Sequence, residues 1–258
     1  MTVVYDSPAA WREERLAQQR AGLSLGVVPT MGALHEGHVS LVRRSRADND
    51  RTLVTIFVNP AQFNDPSDLE RYPRTLEQDL AMLRAAGADA AFVPTHGDLY
   101  PDGYRYRVTE TERSKTLEGA RRPGHFDGVL TVVLKLLQIA SADRAYFGEK
   151  DWQQLSLVRG MAEAFFLPTE IVGCPTVRSD DGLALSSRNR LLSDADRRRA
   201  AQFPRALIEA ATPDEAARRL ATEGFSVEYV VDEDGRRLGA VRIGGVRLID
   251  NVPRGGRP

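Results

Sequence analysis

The run Thr52-Leu53-Val54-Thr55-Ile56-Phe57-Val58 constrains the fold more than any other stretch of the chain. It is apolar almost without interruption, so as a strand it must be covered on both faces, the condition met by a parallel sheet wrapped in helices. Its neighbours repeat the same unit. Residues 25–28 read as a buried strand that turns into a helix beginning near Val39-Ser40-Leu41. Residues 75–86 read as a helix stopped by Gly87, and 90–93 as a strand stopped by Pro94. Residues 129–140, apolar all round, predict a buried helix. A short strand at 144–147, a helix over 152–166 and a strand at 170–172 follow. Alternating β and α elements predict an α/β fold, a Rossmann-like parallel sheet with helices on both faces.

From about Ser179 the pattern changes. Charge density rises through Arg197-Arg198-Arg199, Asp214-Glu215 and Arg218-Arg219. Alternating segments at 227–231, 238–243 and 246–249, with turns at Asp234-Gly235 and Gly244-Gly245, predict antiparallel hairpins after one or two helices. The expected organisation is therefore a first domain over 1–178 and a small C-terminal α+β domain over 179–258. The arginine run reads as a solvated helix face with no function.

Chemistry concentrates where the first strand gives way to its helix, in Met31-Gly32-Ala33-Leu34-His35-Glu36-Gly37-His38. In an α/β fold the carboxyl end of a strand is where ligands bind. A helix N-terminus there is expected to offer unpaired N–H groups and a positive dipole end, which suits phosphate. Glycine lets the backbone approach, and two imidazoles can donate to charge building on a phosphoryl group. The segment reads as a nucleotide triphosphate site, with a capped turn as the plainer alternative. A zinc-protease helix would space its histidines four apart, whereas these are three apart. With four histidines and one cysteine in the chain, no protein metal site is expected. Neither a P-loop nor a Gly-x-Gly-x-x-Gly fingerprint occurs, so the phosphates must be held some other way.

Composition narrows the classes. A net charge of −1 gives no electrostatic case for nucleic acid. No apolar run approaches the ~18–20 residues of a membrane span, and no signal-peptide segment opens the chain. The lone Cys174 excludes an intramolecular disulfide, fits a reducing compartment and reads as packing. A cytoplasmic protein without membrane or nucleic-acid partners is expected.

Four more constellations carry polar chemistry. Asn59 and Gln62 follow the second buried strand and offer amides for hydroxyls and carboxylates, although Asn59-Pro60 is also an ordinary turn. Arg122, in a glycine-rich loop before the buried helix, can clamp a carboxylate or form a local salt bridge. Gly148-Glu149-Lys150-Asp151 is a second strand end turning into a helix: Lys150 supplies a point charge, Asp151 a cap, and Gln154 lies one turn on. Finally, Leu185-Ser186-Ser187-Arg188-Asn189 could close over a triphosphate, or Ser187 could simply cap the next helix.

Residues 31–38, 57–63, Tyr72-Pro73-Arg74, Tyr100-Pro101-Asp102-Gly103, 147–154 and 185–189 together resemble the pantoate–β-alanine ligase (AMP-forming) family, of the nucleotidyltransferase-type α/β group that includes class I aminoacyl-tRNA synthetases. The resemblance runs from 25 to about 190 and returns weakly at Leu248-Ile249-Asp250-Asn251. It implies an ATP-dependent condensation of pantoate with β-alanine through a pantoyl adenylate, in a cytoplasmic homodimer, with Mg²⁺ carried by ATP. It places Met31, Gly32, Ala33, Leu34, His35, Glu36, Gly37 and His38 on ATP, His38 as proton donor with His35 beside it. Gly148, Glu149, Lys150 and Asp151 would line ribose and phosphates, with Lys150 catalytic, and Val177 would touch adenine. Leu185, Ser186, Ser187 and Arg188 would close on the triphosphate as part of a C-terminal lid. Gln62 and Gln154 would bind pantoate, and Gln62 also β-alanine. Two departures stand out: Leu185 where methionine is frequent, and a tail after Asn189 shorter than expected. Rival readings are a regulatory nucleotide-binding module and a nucleotidyltransferase acting on another small acid; both glutamines being present disfavours the first.

Overall fold

The computed structural model describes residues 2–254, which divide into two compact units. The first comprises the chain up to Glu149 together with Gln153–Cys174; the second comprises Lys150–Trp152 and the chain from Pro175 onward. The change of character near 178 in the sequence thus falls slightly after the structural division, and the short Lys150–Trp152 excursion has no sequence signature.

The first unit is built on a six-stranded, wholly parallel sheet. Its strands are β1 (Val3–Tyr5), β2 (Leu25–Thr30), β3 (Arg51–Ile56), β4 (Ala90–Phe92), β5 (Arg144–Gly148) and β6 (Glu170–Cys174), in the spatial order β1-β4-β3-β2-β5-β6. The central strands are apolar on both sides because both sides are covered: Val27, Val28, Leu53, Val54, Phe92 and Tyr146 have no accessible surface. On one side Leu41 and Val42, from helix Glu36–Asp48, join Leu83, from helix Leu76–Ala86, in a cluster with Val28, Val54 and Ala91. Gly87 ends the second of these helices at φ +79°, a left-handed position that glycine adopts freely. Helix His125–Ala140 starts four residues before the expected 129, where Gly124 turns at φ +78°.

Two elements precede those that periodicity announces. Strand β1 pairs with β4, and helix Pro8–Arg20 is capped by the Ser7 hydroxyl. The buried face of that helix carries Trp11, Arg15 and Gln18. Arg15 is 4% exposed and donates to the carbonyls of Leu23 and Ser141 and to the Asp143 carboxylate. A buried charge is tolerable there because each of its three nitrogens finds an acceptor, one of them a carboxylate.

The second unit packs helices Asp194–Ala200, Gln202–Glu209 and Pro213–Thr222 with an antiparallel sheet β7 (Ser226–Glu233), β8 (Arg236–Ile243) and β9 (Val246–Pro253), in that order. The expected hairpins are present, preceded by three short helices. Phe203, Leu207, Leu220, Phe225, Val241 and Ile243 form its core. Arg197 belongs to more than a solvated face: it donates to the Asp181 carboxylate at 2.5 Å and to the Ser179 hydroxyl at 3.0 Å, fastening the loop before Leu183. Among the described residues, no helix is long and apolar enough to cross a membrane.

Candidate active site

Strand order fixes where a ligand can enter. From β2 the chain builds outward through β3 and β4 on one side, whereas β5 and β6 lie on the other. The β2–β5 boundary is therefore a topological switch point, and ligands bind outside the carboxyl ends of strands at such points. The carboxyl ends of the three adjacent strands β3, β2 and β5 lead into Asn59–Gln62, Met31–His38 and Gly148–Asp151 respectively.

After β2 the chain is held from below by Asp79. Its carboxylate accepts the N–H groups of Ala33 (3.0 Å) and Leu34 (2.8 Å), and it is 2% exposed. Ala33 and Leu34 are themselves 1% exposed, so these two residues anchor the turn while Met31 stays accessible. Gly32 takes φ +76°, and a side chain there would press on Asp79 and Ile56.

The helix starts earlier than expected, with His35 as N-cap. Nδ1 of His35 accepts the Gly37 N–H at 3.1 Å, and Nδ1 of His38 accepts the His35 N–H at 3.3 Å. The open N–H cluster expected at this helix end is thus partly closed by the histidines themselves, a capping box built from imidazoles. Since Nδ1 accepts in both neutral rings, Nε2 carries the proton in both. The pair therefore presents N–H donors from its outer edges. Glu36 is exposed and pairs with Arg43, farther along the helix.

After β3, the single helical turn Pro60–Gln62 is oriented by a relay of hydrogen bonds. Asn59 Nδ2 donates to the Gly128 carbonyl at 3.1 Å, which can only accept, so the amide orientation is fixed. Its Oδ1 then accepts from the Tyr100 hydroxyl at 2.8 Å, and Nδ2 donates again to Gln62 Oε1 at 3.1 Å. With Oε1 engaged, the end of Gln62 left to present is Nε2, a donor. Asn59 is 1% exposed and belongs to the scaffold, which settles its two readings in favour of the turn. Burial pushes the Tyr100 phenol far above its usual range, so it stays a neutral donor.

The backbone of Gln62 is held as well. Its carbonyl receives Nδ1–H of His125 at 2.8 Å and Nη2 of Arg122 at 3.2 Å, while Arg122 Nη1 meets His125 Nε2 at 3.0 Å. Arg122 is thereby a brace within the loop. A Cβ on Gly128 would come 2.4 Å from the Ala61 carbonyl oxygen, so only glycine lets this helix approach the turn.

Two glutamines follow the β5 turn and have different tasks. Gln153 is 3% exposed, donates to the Arg113 and Thr116 carbonyls and accepts from the Glu118 N–H. Gln154, one residue on, is partly exposed. Gly148 has nothing within 4 Å of where a Cβ would stand, which makes the space above it open.

Within the second unit, Val177 and Leu185 are joined by a backbone hydrogen bond of 3.0 Å, and Arg178 pairs with Ala184 in an isolated bridge. Ser186, rather than Ser187, is the cap of the following helical turn, accepting the Arg188 N–H at 3.3 Å. Lys150 retains 18% side-chain exposure, with its ammonium 3.9 Å from Asp151. Among the described residues, no group of three or more His, Cys, Asp or Glu is placed to hold a metal ion.

Comparison with known proteins is consistent in one direction. The family model for pantoate-beta-alanine ligase matches residues 3–253. A pantothenate synthetase of Bdellovibrio bacteriovorus is 52% identical over 255 residues, covering 98% of this chain and 99% of its own length. One from Coxiella burnetii is 49% identical over 253 residues, with 98% and 97% covered. Among solved structures, the pantoate-beta-alanine ligase of Francisella tularensis, complexed with beta-gamma ATP and beta-alanine, superposes with a TM-score of 0.91 at 40% identity, 98% of each chain covered. Pantothenate synthetase of Thermus thermophilus gives 0.86 at 40% identity, covering 98% of this chain and 99% of that one. These relatives are matched over nearly their whole length.

Proposed function

The chain belongs to the pantoate-beta-alanine ligase family, and from that premise we propose how it makes pantothenate from pantoate, β-alanine and ATP. A carboxylate is a poor acyl donor because oxide is its leaving group. In the first step a pantoate carboxylate oxygen attacks the α-phosphorus of ATP, the bond to the β-phosphate bridging oxygen breaks, and pyrophosphate leaves. In the second, the neutral amine of β-alanine attacks the acyl carbon of pantoyl adenylate, AMP departs with the electron pair of the C–O bond, and the amine proton is released. No enzyme nucleophile is needed, in keeping with a buried Cys174.

The observation that carries this reading is the pairing of donors at the ends of two adjacent strands: Nε2–H of His35 and His38 after β2, and Nε2–H of Gln62 after β3. The histidines suit the charge that builds on the departing pyrophosphate, with His38 as proton donor. Gln62 and Gln154 suit the carboxylate and hydroxyls of pantoate, and Gln62 also the incoming β-alanine. Lys150 adds a point charge, Gly148, Glu149 and Asp151 line ribose and phosphate, and Val177 meets adenine. Leu185, Ser186, Ser187 and Arg188 close on the triphosphate as part of a lid formed by the C-terminal unit, keeping water from the adenylate. Met31 and Gly32 contact ATP directly, and Ala33 and Leu34 serve its binding by shaping the turn. Mg²⁺ would be carried with ATP rather than in a dedicated protein site, supplying charge neutralisation at the phosphates.

The protein works in the cytoplasm as a homodimer. Sedimentation at micromolar concentration reads the dimer directly.

Exchange of labelled pyrophosphate into ATP tests the chemistry. It requires pantoate and proceeds without β-alanine, because the adenylate forms before the amine acts. Exchange that depends on β-alanine, or that runs equally with unrelated acids, overturns the assignment.

A further inference from the structure

Lys150–Trp152 packs with the second unit although Glu149 and Gln153, on either side, pack with the first. The reason lies in β9. Asn251 Nδ2 donates to the Lys150 carbonyl at 2.9 Å, and Asn251 Oδ1 accepts from Arg236 Nε at 2.5 Å. A guanidinium has no acceptor, so the Asn251 amide can stand only one way round, oxygen to Arg236 and nitrogen to Lys150. The Arg236 guanidinium also lies 4.4 Å from the centroid of the Trp152 ring, closing a clamp over the three residues.

The backbone of Asn251 is fixed independently. Asp250, whose side chain has no exposure, accepts two parallel bonds from Arg178 at 2.7 and 2.9 Å and the Asn251 N–H at 2.7 Å. Arg178 Nη2 reaches the Asn251 carbonyl as well, at 3.1 Å, and through its bridge to Ala184 stands at the root of the Leu185–Arg188 segment. The adjacent residues Asp250 and Asn251 are thus the common support of two cationic segments, one bearing Lys150 and the other Arg188.

We propose that Asn251 and Arg236 are positioning residues for Lys150: they set the backbone from which its ammonium reaches a triphosphate, in fixed register with Arg188. This rests on the reading of Lys150 as a phosphate-binding group. A rigid root matters because displacement of a charge-stabilising group by about 1 Å costs up to ~100-fold in rate.

A double-mutant cycle on pyrophosphate exchange tests it. Asn251→Asp keeps the size and the acceptor for Arg236 but turns an oxygen toward the Lys150 carbonyl. It is expected to lower kcat for exchange about tenfold or more, with KM for pantoate unchanged and the thermal midpoint nearly so. In a Lys150→Ala background the same change should lower the residual rate less than about twofold, since residues acting as one unit are not additive. Losses that multiply in the double variant, or full activity of Asn251→Asp alone, overturn the proposal. Normal exchange by Lys150→Ala alone removes the phosphate role of Lys150 and the proposal with it, a result distinguishable from the other two. Should Asn251→Asp not fold, Arg236→Gln, which loses both the charge and the stacking on Trp152, carries the same cycle with the same outcomes.

Discussion

The His35 backbone N–H donates to Nδ1 of His38 at 3.3 Å, while Nδ1 of His35 accepts the N–H of Gly37, so each ring has its inner nitrogen committed to the helix end. One side chain thereby has two separable duties. Asparagine places an amide near the position of Nδ1, and glutamine places one near Nε2. His38→Asn should keep the thermal midpoint close to that of the parent and lose about 100-fold or more in pyrophosphate exchange, the usual cost of a missing preorganised donor. His38→Gln should show the reverse, a lower midpoint with more exchange retained. Equal behaviour of the two variants would mean that the capping and the outer donor are not distinct.

If Gln62 binds pantoate as proposed, the relay Tyr100–Asn59–Gln62 makes a residue outside the proposed substrate-binding set matter for substrate. Tyr100→Phe removes a hydroxyl that donates to Asn59 Oδ1, loosening the amide that orients Gln62. A net loss of about 0.5–1.5 kcal/mol per hydrogen bond corresponds to a ~2–10-fold weaker pantoate affinity. Calorimetry with pantoate and with ATP separately reads this, and ATP affinity should not change. Equal losses for both ligands would indicate general loosening of the first unit.

Two glycines give opposite forecasts. Gly128→Ala drives a Cβ to 2.4 Å from the Ala61 carbonyl oxygen and must displace the turn that bears Gln62. Overpacking of this kind costs ~1–3 kcal/mol, and KM for pantoate should rise with it. Gly148→Ala meets nothing in the protein, so stability should hold; any fall in ATP affinity then reports a ligand occupying that space. Denaturant titration alongside initial rates separates the two effects. A stable Gly128→Ala protein with unchanged KM would contradict the packing argument.

Acid should loosen the second unit through Asp181. The hydrogen bond from Arg197 holds its carboxyl well below the usual carboxylate range, with help from the Ser179 hydroxyl and against the opposing effect of burial. A carboxyl with a depressed folded-state pKa contributes stability above its unfolded value, near ~4, and loses that contribution as pH falls through its folded value. Asp181→Asn should therefore lower the thermal midpoint at neutral pH and flatten its decline below about pH 4, the two curves converging in strong acid. Parallel curves at all pH values would remove Asp181 from the account.

Burial pushes the Cys174 thiol up, and it is 4% exposed. The native protein should react slowly with an aromatic disulfide reagent near neutral pH and reveal one thiol on unfolding. Cys174→Ala should retain exchange activity. Activity lost in step with thiol modification of the folded protein would point to a chemical role.

The parallel sheet was legible because its strands are covered on both faces and so are written as apolar runs, Thr52 to Val58 above all. The helix at Pro8–Arg20 was not, although Ser7 and Pro8 mark its start, because its inward face carries Arg15 and Gln18, which periodicity counts as solvent-facing. Residues proposed to face ligand, such as His35 and Gln62, lie in compact motifs at strand ends and could be read locally. Their supports could not. Asp79 meets Leu34 across 45 residues, and His125 meets Gln62 across 63, with nothing near either one to announce the contact. Gln153 and Gln154 differ only by a helical step of about 100°, which turns one amide onto buried carbonyls and leaves its neighbour reachable.

The bond from Asn251 to the Lys150 carbonyl spans 101 residues, which gives it a place in time as well as in space. A ribosome adding roughly 5–20 residues per second exposes the Lys150 turn about 5–20 seconds before its partner exists. The motifs proposed to hold the nucleotide, as far as Arg188, are all translated before Asn251, yet until then the turn lacks this bond. The sheet can form early, but the final strand must be made and paired before the lysine is set. A chain interrupted between Arg188 and Asn251 would carry the motifs and lack the fastening, so the root of the ammonium is secured only after those motifs have been made.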